Sequence, residues 1–291
     1  MKPLITSFTD YNNANISEQL NLIKKLKLKN LFIRKINGEP FYLLNEKDQK
    51  SLTKSLNDIN IIAADPLIDA PHLNNLDEVN KANLKIKLAA ISAKLLNSES
   101  LCLRLPIYDD FVNDKDNFLN LIKEQVKIIK DEKLKVILIF NDKHQAATYR
   151  LVIEKLKDNT IKIAYDPSYI YLNNENVNTT YRLLNNKIDY IILDDFDKSG
   201  TPRLINSGNA YKLKDLFKTL IKTNYNGKIV LDSKLVEFLP KVNNYKWYHK
   251  FSKNKKYHQR VLDDFKTISN DLSPFSIINI QLEALEIIFK T

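Results

Sequence analysis

The chain is poor in the residues that usually mark a site: one cysteine, one methionine, four histidines and four glycines among 291 residues. A single cysteine, Cys102, excludes an internal disulfide, and its place inside the apolar run Leu101-Cys102-Leu103 reads as a small core side chain. Neither a glycine-rich dinucleotide fingerprint nor a P-loop occurs, so no nucleotide cofactor is expected. No run approaches the ~18 consecutive apolar residues of a membrane span. The opening Met1-Lys2-Pro3-Leu4-Ile5 has no leader-like apolar stretch, so a cytoplasmic protein without a membrane partner is expected.

Acidic residues are also in deficit, 35 against 45 lysines and arginines, for a net charge of +10. Nucleic-acid binding needs those cations clustered. Here lysines are spread over nearly every helical segment, and the chain is rich in Asn and Ile. That is the drift of AT-rich coding sequence, with Asn standing in for Gly in turns because it tolerates the left-handed region. The stretch Lys246-Trp247-Tyr248-His249-Lys250-Phe251, within 245–260, mixes cations and aromatics. It reads as aromatic anchors with solvated lysines rather than as a nucleic-acid surface.

What the chain does have is eight short apolar runs. They end at Ser7, Arg34, Asp65, Arg104, Asn141, Asp166, Asp194 and Asp232, and seven of those ends are charged or strongly polar. The runs predict strands near 4–7, 30–34, 59–65, 100–105, 135–141, 161–166, 188–194 and 228–232. They are continuous rather than alternating, as in a parallel sheet covered on both faces. Helical periodicity fills the gaps, for example Val79, Ala82, Ile86, Ala89, Ala90 and Ala93, and Ser17 is the expected cap of the first helix. The pattern predicts an α/β fold, a single (β/α)8 TIM barrel over 1–291, with the barrel core at 4–240 and a C-terminal helical extension at 241–291. In such a barrel the strand ends converge on one mouth, where chemistry is sought.

Asp166-Pro167 after a strand, then Asp194-Asp195-Phe196-Asp197, Gly200-Thr201-Pro202-Arg203-Leu204, Ser207-Gly208-Asn209 and the strand ending at Asp232 resemble the xylose isomerase-like TIM barrels. These are sugar and sugar-phosphate isomerases and epimerases, with apurinic endonuclease cousins. The resemblance covers about residues 4–235 and is most specific in 160–232. It implies a divalent cation (Mn, Mg or Zn) held at the mouth by a Glu, an Asp, a His and a second Glu, with proton transfer through an enediolate. Position by position, the first Glu falls at Phe140, the Asp at Asp166, the His at Asp194 and the final Glu at Asp232. Phe196 stands where the family has Lys, and Tyr169 where a further His is common.

The expected metal set is therefore Asp166, Asp194 and Asp232, each of which could instead cap the turn after its strand. Asp232 is the first candidate base, with Asp142 and His144 as alternatives in the loop after the fifth strand, unless both are simply solvated. Arg34, Arg104, Asn141 and His72 are candidate substrate contacts, the arginines for an anionic group unless they pair with Asp65 or Asp166. The expected partner is a small sugar or sugar phosphate, and a homo-oligomer is left open. Endonuclease activity is excluded, because no histidine falls at a matching strand end. The alternative function is a barrel that has lost catalysis and binds a small molecule or a protein.

Overall fold

The computed structural model describes residues 2–56, 58–245 and 255–290. Eight parallel strands form one sheet: β1 (Leu4–Ser7), β2 (Asn30–Ile33), β3 (Asn60–Ala64), β4 (Ser100–Arg104), β5 (Lys135–Ile139), β6 (Lys162–Tyr165), β7 (Ile188–Leu193) and β8 (Lys228–Leu231). Their order is β1-β8-β7-β6-β5-β4-β3-β2. The two ends of the sheet meet where the Thr6 hydroxyl donates to the Asn30 carbonyl at 2.6 Å. That side-chain bond helps close a barrel whose other neighbours are joined by backbone ladders. The predicted strands agree within one or two residues, and the polar ends sit just past the last strand residue in most units.

Wall helices follow each strand: α1 (Ile16–Lys25), α2 (Glu46–Ser55), α3 (Leu76–Leu95), α4 (Phe111–Asp131), α5 (Ala146–Leu156), α6 (Pro167–Leu172) with α7 (Val177–Leu184), α8 (Leu213–Lys222) and α9 (Leu235–Asn243). The cap of α1 is Asn15, not Ser17. Asn15 accepts from Glu18 N while the Glu18 carboxylate accepts from Asn15 N, a reciprocal pair that satisfies two end donors at once. Among the described residues, six helices are followed by a residue in the left-handed region, and none of these is glycine: Lys27, Asn97, Lys133, Lys157, Asn174 and Asn224. The scarcity of glycine is thus absorbed at helix ends by Asn and Lys.

Two further helices, α10 (Lys255–Lys266) and α11 (Pro274–Lys290), complete the chain. The expected C-terminal helical extension is present, and α11 packs against β1, β8, α1 and α9, filling the wall between the last strand and the first. The Tyr245 hydroxyl bonds His258 Nδ1 at 2.8 Å, and Tyr257 lies under Arg203, 5.0 Å from guanidinium carbon to ring centre. The rest of the basic aromatic stretch, 246–254, lies outside the described residues.

The barrel interior is filled, not hollow. Phe8, Phe32 and Tyr190 meet edge to face at 5.2 and 5.6 Å, and the Tyr190 hydroxyl crosses to the Ile62 carbonyl at 2.7 Å. Each such ring pair adds about 0.5–1.5 kcal/mol beyond area burial. This plug forms a floor under the mouth, so a ligand reaches only the strand ends and the loops after them.

Candidate active site at the barrel mouth

Asp232 directly follows β8, and both its oxygens face cations. Arg34 Nη2 lies 3.5 Å from Oδ1, and Lys234 Nζ bonds Oδ2. Burial would push this carboxyl up, but Arg34 and then Lys234 prevail and hold it below the usual carboxylate range. Arg34 is also forked onto Asp10, with Nη2 to Oδ1 at 2.8 Å and Nε to Oδ2 at 3.1 Å, and its guanidinium stacks 3.4 Å above the Phe8 ring. The Asp232-Ser233-Lys234 turn is pinned on several sides. Asp232 N donates to the Leu193 carbonyl at 2.7 Å, Ser233 N to the Tyr11 hydroxyl at 2.7 Å, and Gln281 Nε2 to Ser233 Oγ at 2.6 Å. The wall helix α11 thereby reaches the mouth.

Asp166 caps α6, accepting from Ser168 N at 2.9 Å and Tyr169 N at 3.2 Å. The Ser168 hydroxyl donates to Asp194, so one serine joins the two carboxylates. Burial, with the charge of Asp194 behind it, pushes the Asp166 carboxyl up to about 7. Asp194 is raised as well, by burial first and by the charge of Asp232. The Tyr211 hydroxyl bonds the Asp194 carbonyl, and Gly208 permits the same loop to close: a Cβ there would sit 2.1 Å from Asp195 Oδ1.

The other candidates are placed differently. Arg104 forks onto Asp65 at 2.8 and 2.9 Å, the self-contained ion pair that was the alternative reading. Asn141 is spent on structure, donating Nδ2 to the Leu105 carbonyl at 3.0 Å and accepting from Lys143 N at 3.0 Å. His144 is not solvated, and it does not line the pocket described below. It is buried among Tyr108, Phe118 and Tyr149 with Nε2 2.7 Å from the Pro106 carbonyl, and burial lowers its pKa. Asp142 is exposed, beside Lys143 at 3.2 Å. The backbone of His72 donates to Glu78 at 2.9 Å and bridges to Ile107. Phe140 is core, its ring centre 4.3 Å from that of Tyr149.

This donor set does not fit a divalent metal centre. The oxygens of Asp232 face a guanidinium and an ammonium, Asp166 is occupied in capping, and the first-ligand position is a buried phenyl ring. Among the described residues, no three Asp, Glu, His or Cys side chains form a group able to hold a metal ion. A pocket of about 220 Å³ does open here, lined by Asp10, Arg34, Lys35, Asp232, Lys234 and Glu237 among others. Asp10, Ser168 and Lys234 were not anticipated from the sequence. Lys234 had a signal, since it stands two residues after a strand-end Asp.

Known proteins of the same shape sharpen the fold. No protein-family model matches the chain, and no curated protein matches it in sequence. Among solved structures, it superposes on D-psicose 3-epimerase with D-tagatose from Clostridium cellulolyticum H10, with a TM-score of 0.66 at 11% identity, covering 100% of this chain and 98% of that one. A xylose isomerase domain protein from Planctomyces limnophilus matches with a TM-score of 0.63 at 12% identity, over 79% and 90% of the two chains. The IOLI protein, solved with a bound zinc atom, matches at 0.65 and 14%, over 92% and 97%. The fold is therefore a TIM barrel like those of these structures, and at these identities the likeness establishes the fold alone. Among the described residues, no helix is long and apolar enough to cross a membrane.

Proposed function

We propose that the mouth binds a small open-chain sugar and moves a proton at the carbon next to its carbonyl, as an isomerase or epimerase does. The observation that carries this reading is the set of charges past β6, β7 and β8: two carboxylates joined through Ser168, and a third held between two cations at the edge of a pocket. A volume of about 220 Å³ is below the ~300–1,000 Å³ of drug-sized sites and suits a monosaccharide. Because both arginines are already forked onto aspartates, a neutral sugar suits the site better than a sugar phosphate.

Asp166, with its carboxyl near 7, is part ionised at neutral pH and serves as the base, while Asp194 beside it serves as the acid that returns the proton. Asp232, held acidic by its cations, is a weaker base than its neighbours. The superposed epimerase solved with D-tagatose makes ketohexoses the first compounds to try. Deuterium incorporation next to the carbonyl, followed by NMR for a ketohexose panel in D2O, tests the reading. Exchange that disappears in Asp166→Asn supports it, and absence of exchange from every ketohexose rejects it. A second reading, a barrel retired from catalysis, is favoured by Phe140 lying in the core where the family places a ligand. It predicts ketohexose binding without exchange.

A further inference from the structure

We propose that the Lys234 ammonium takes the place of the divalent cation at this mouth, so that the site works without metal and Lys234 meets the substrate's carbonyl oxygen. The inference rests on the proposed proton transfer for its catalytic half, and on geometry alone for its metal-excluding half.

The position of the charge is built, not incidental. Lys234 Nζ bonds Asp232 Oδ2, and its charge also acts on Asp194 and on the rim residue Tyr169. Its backbone belongs to the turn anchored by Leu193, Tyr11 and Gln281, so the ammonium starts from a fixed base. The side chain remains about half exposed, at 54%, and lines the 220 Å³ pocket, so it can reach a ligand. Arg34 supplies the second positive charge but has no freedom, being forked onto Asp10 and stacked on Phe8. A dication entering between Asp194 and Asp232 would meet an ammonium already bonded to one of its ligands, and repulsion at such separations outweighs what one carboxylate returns.

The reaction closes without any further reactant. The C–H bond next to the carbonyl breaks and its proton passes to the Asp166 carboxylate. The bonding pair forms the carbon–carbon double bond of an enediolate, and the carbonyl π pair moves onto oxygen, facing the ammonium. Return of a proton from Asp194 to carbon restores the carbonyl, and proton exchange with water resets Asp166 and Asp194, with no change of oxidation state overall. One ammonium gives less charge than a dication, but it needs no loading and tolerates chelators.

The test is Mn²⁺ titration of the intact chain by calorimetry and electron paramagnetic resonance, read apart from any turnover. Wild type and Lys234→Arg are expected to show no saturable Mn²⁺ site. Lys234→Ala, and Lys234→Met as a bulkier second variant, should bind Mn²⁺ about 100-fold or more tightly than wild type, and Asp232→Ala added to either should remove the gain. Saturable Mn²⁺ binding by wild type that is lost in Asp232→Ala overturns the proposal, as does failure of both folded Lys234 variants to gain binding. Deuterium exchange in EDTA tests the catalytic half separately. Persistence there with loss in Lys234→Met supports it, and exchange restored only by added metal refutes it. A chain that shows no exchange at all, yet follows the Mn²⁺ pattern, sinks the proposed function and leaves the metal exclusion standing.

Discussion

The two arcs of the mouth are built from equivalent strand-end positions, yet they handle charge in opposite ways. Along β3 to β5, Arg104 and Asp65 satisfy one another through two bonds, and the next end turns inward, with Phe140, His144 and Tyr149 packed as aromatic core. Along β6 to β8, continuing to β2, the charges form a chain rather than a closed pair. Asp232 is shared by Arg34 and Lys234, Arg34 by Asp10 and Asp232, and Ser168 by Asp166 and Asp194. A closed pair leaves nothing for a ligand to improve, whereas an open network beside a cavity does. That contrast, rather than the number of charged ends, locates the site.

Truncating each arginine should break the two arcs differently. Arg104→Ala strands the buried Asp65 without a counter-charge, and is expected to destabilise the fold by about 3–5 kcal/mol with ketohexose binding unchanged in whatever fraction stays folded. Arg34→Ala leaves Asp232 bonded to Lys234 but strands the buried Asp10 side chain in the same way, so a comparable stability loss is expected, and here binding at the pocket fails with it. Urea unfolding and calorimetry on both variants give the answer. Loss of binding in Arg104→Ala, or its survival in Arg34→Ala, would erase the distinction.

The sequence carried the scaffold further than the site, for a physical reason. Eight apolar runs buried on both faces can satisfy their backbones only by pairing in order, so pattern and spacing specify a barrel. The same pattern says only that an end such as Asp65, Arg104 or Asp166 lies near the rim. Which partner it finds depends on side-chain reach across the mouth, as when Arg34 spans to Asp10 and Asp232 from a different strand. His144 shows the limit most clearly: a loop position four residues past an apolar run reads as solvated, but Tyr108, Phe118 and Tyr149 close over it from three other segments. Lys234 was legible only in retrospect, because a lysine near a strand-end Asp is usually a surface residue.

The acid pair gives its arc a distinct pH signature. The folded carboxyl of Asp166 is raised from 3.8 to about 7, so the folded chain binds more protons than the unfolded one between about pH 4 and pH 7. Stability from this group is therefore full below pH 4 and falls as pH rises through 7. Asp166→Asn keeps the cap and removes the charge. It should leave the melting temperature unchanged near pH 4 and raise it at pH 8, by a stability gain on the order of 1–2 kcal/mol, while abolishing exchange. A variant less stable than wild type at pH 8 would show that the carboxylate is compensated in the fold.

His144 gives the other arc the opposite slope, and a smaller one. Burial lowers its pKa below the ordinary 6.5, against the pull of its bond to the Pro106 carbonyl, and its buried Nδ1 has no hydrogen-bond partner. Below about pH 6.5 the unfolded chain takes up a proton that the folded chain resists, so stability falls with acid, not with base. His144→Phe fits an aromatic surround already made of Tyr108, Phe118 and Tyr149, and gives up one bond to a carbonyl. At pH 7 it should change stability by about 1 kcal/mol or less, and between pH 6.5 and 5 it should fall less steeply than wild type. Exchange into a ketohexose should be untouched, because the ring faces the aromatic core and not the pocket. If acid sensitivity persists unchanged in His144→Phe, the histidine is not its source; if exchange is lost, the closed arc belongs to the site after all.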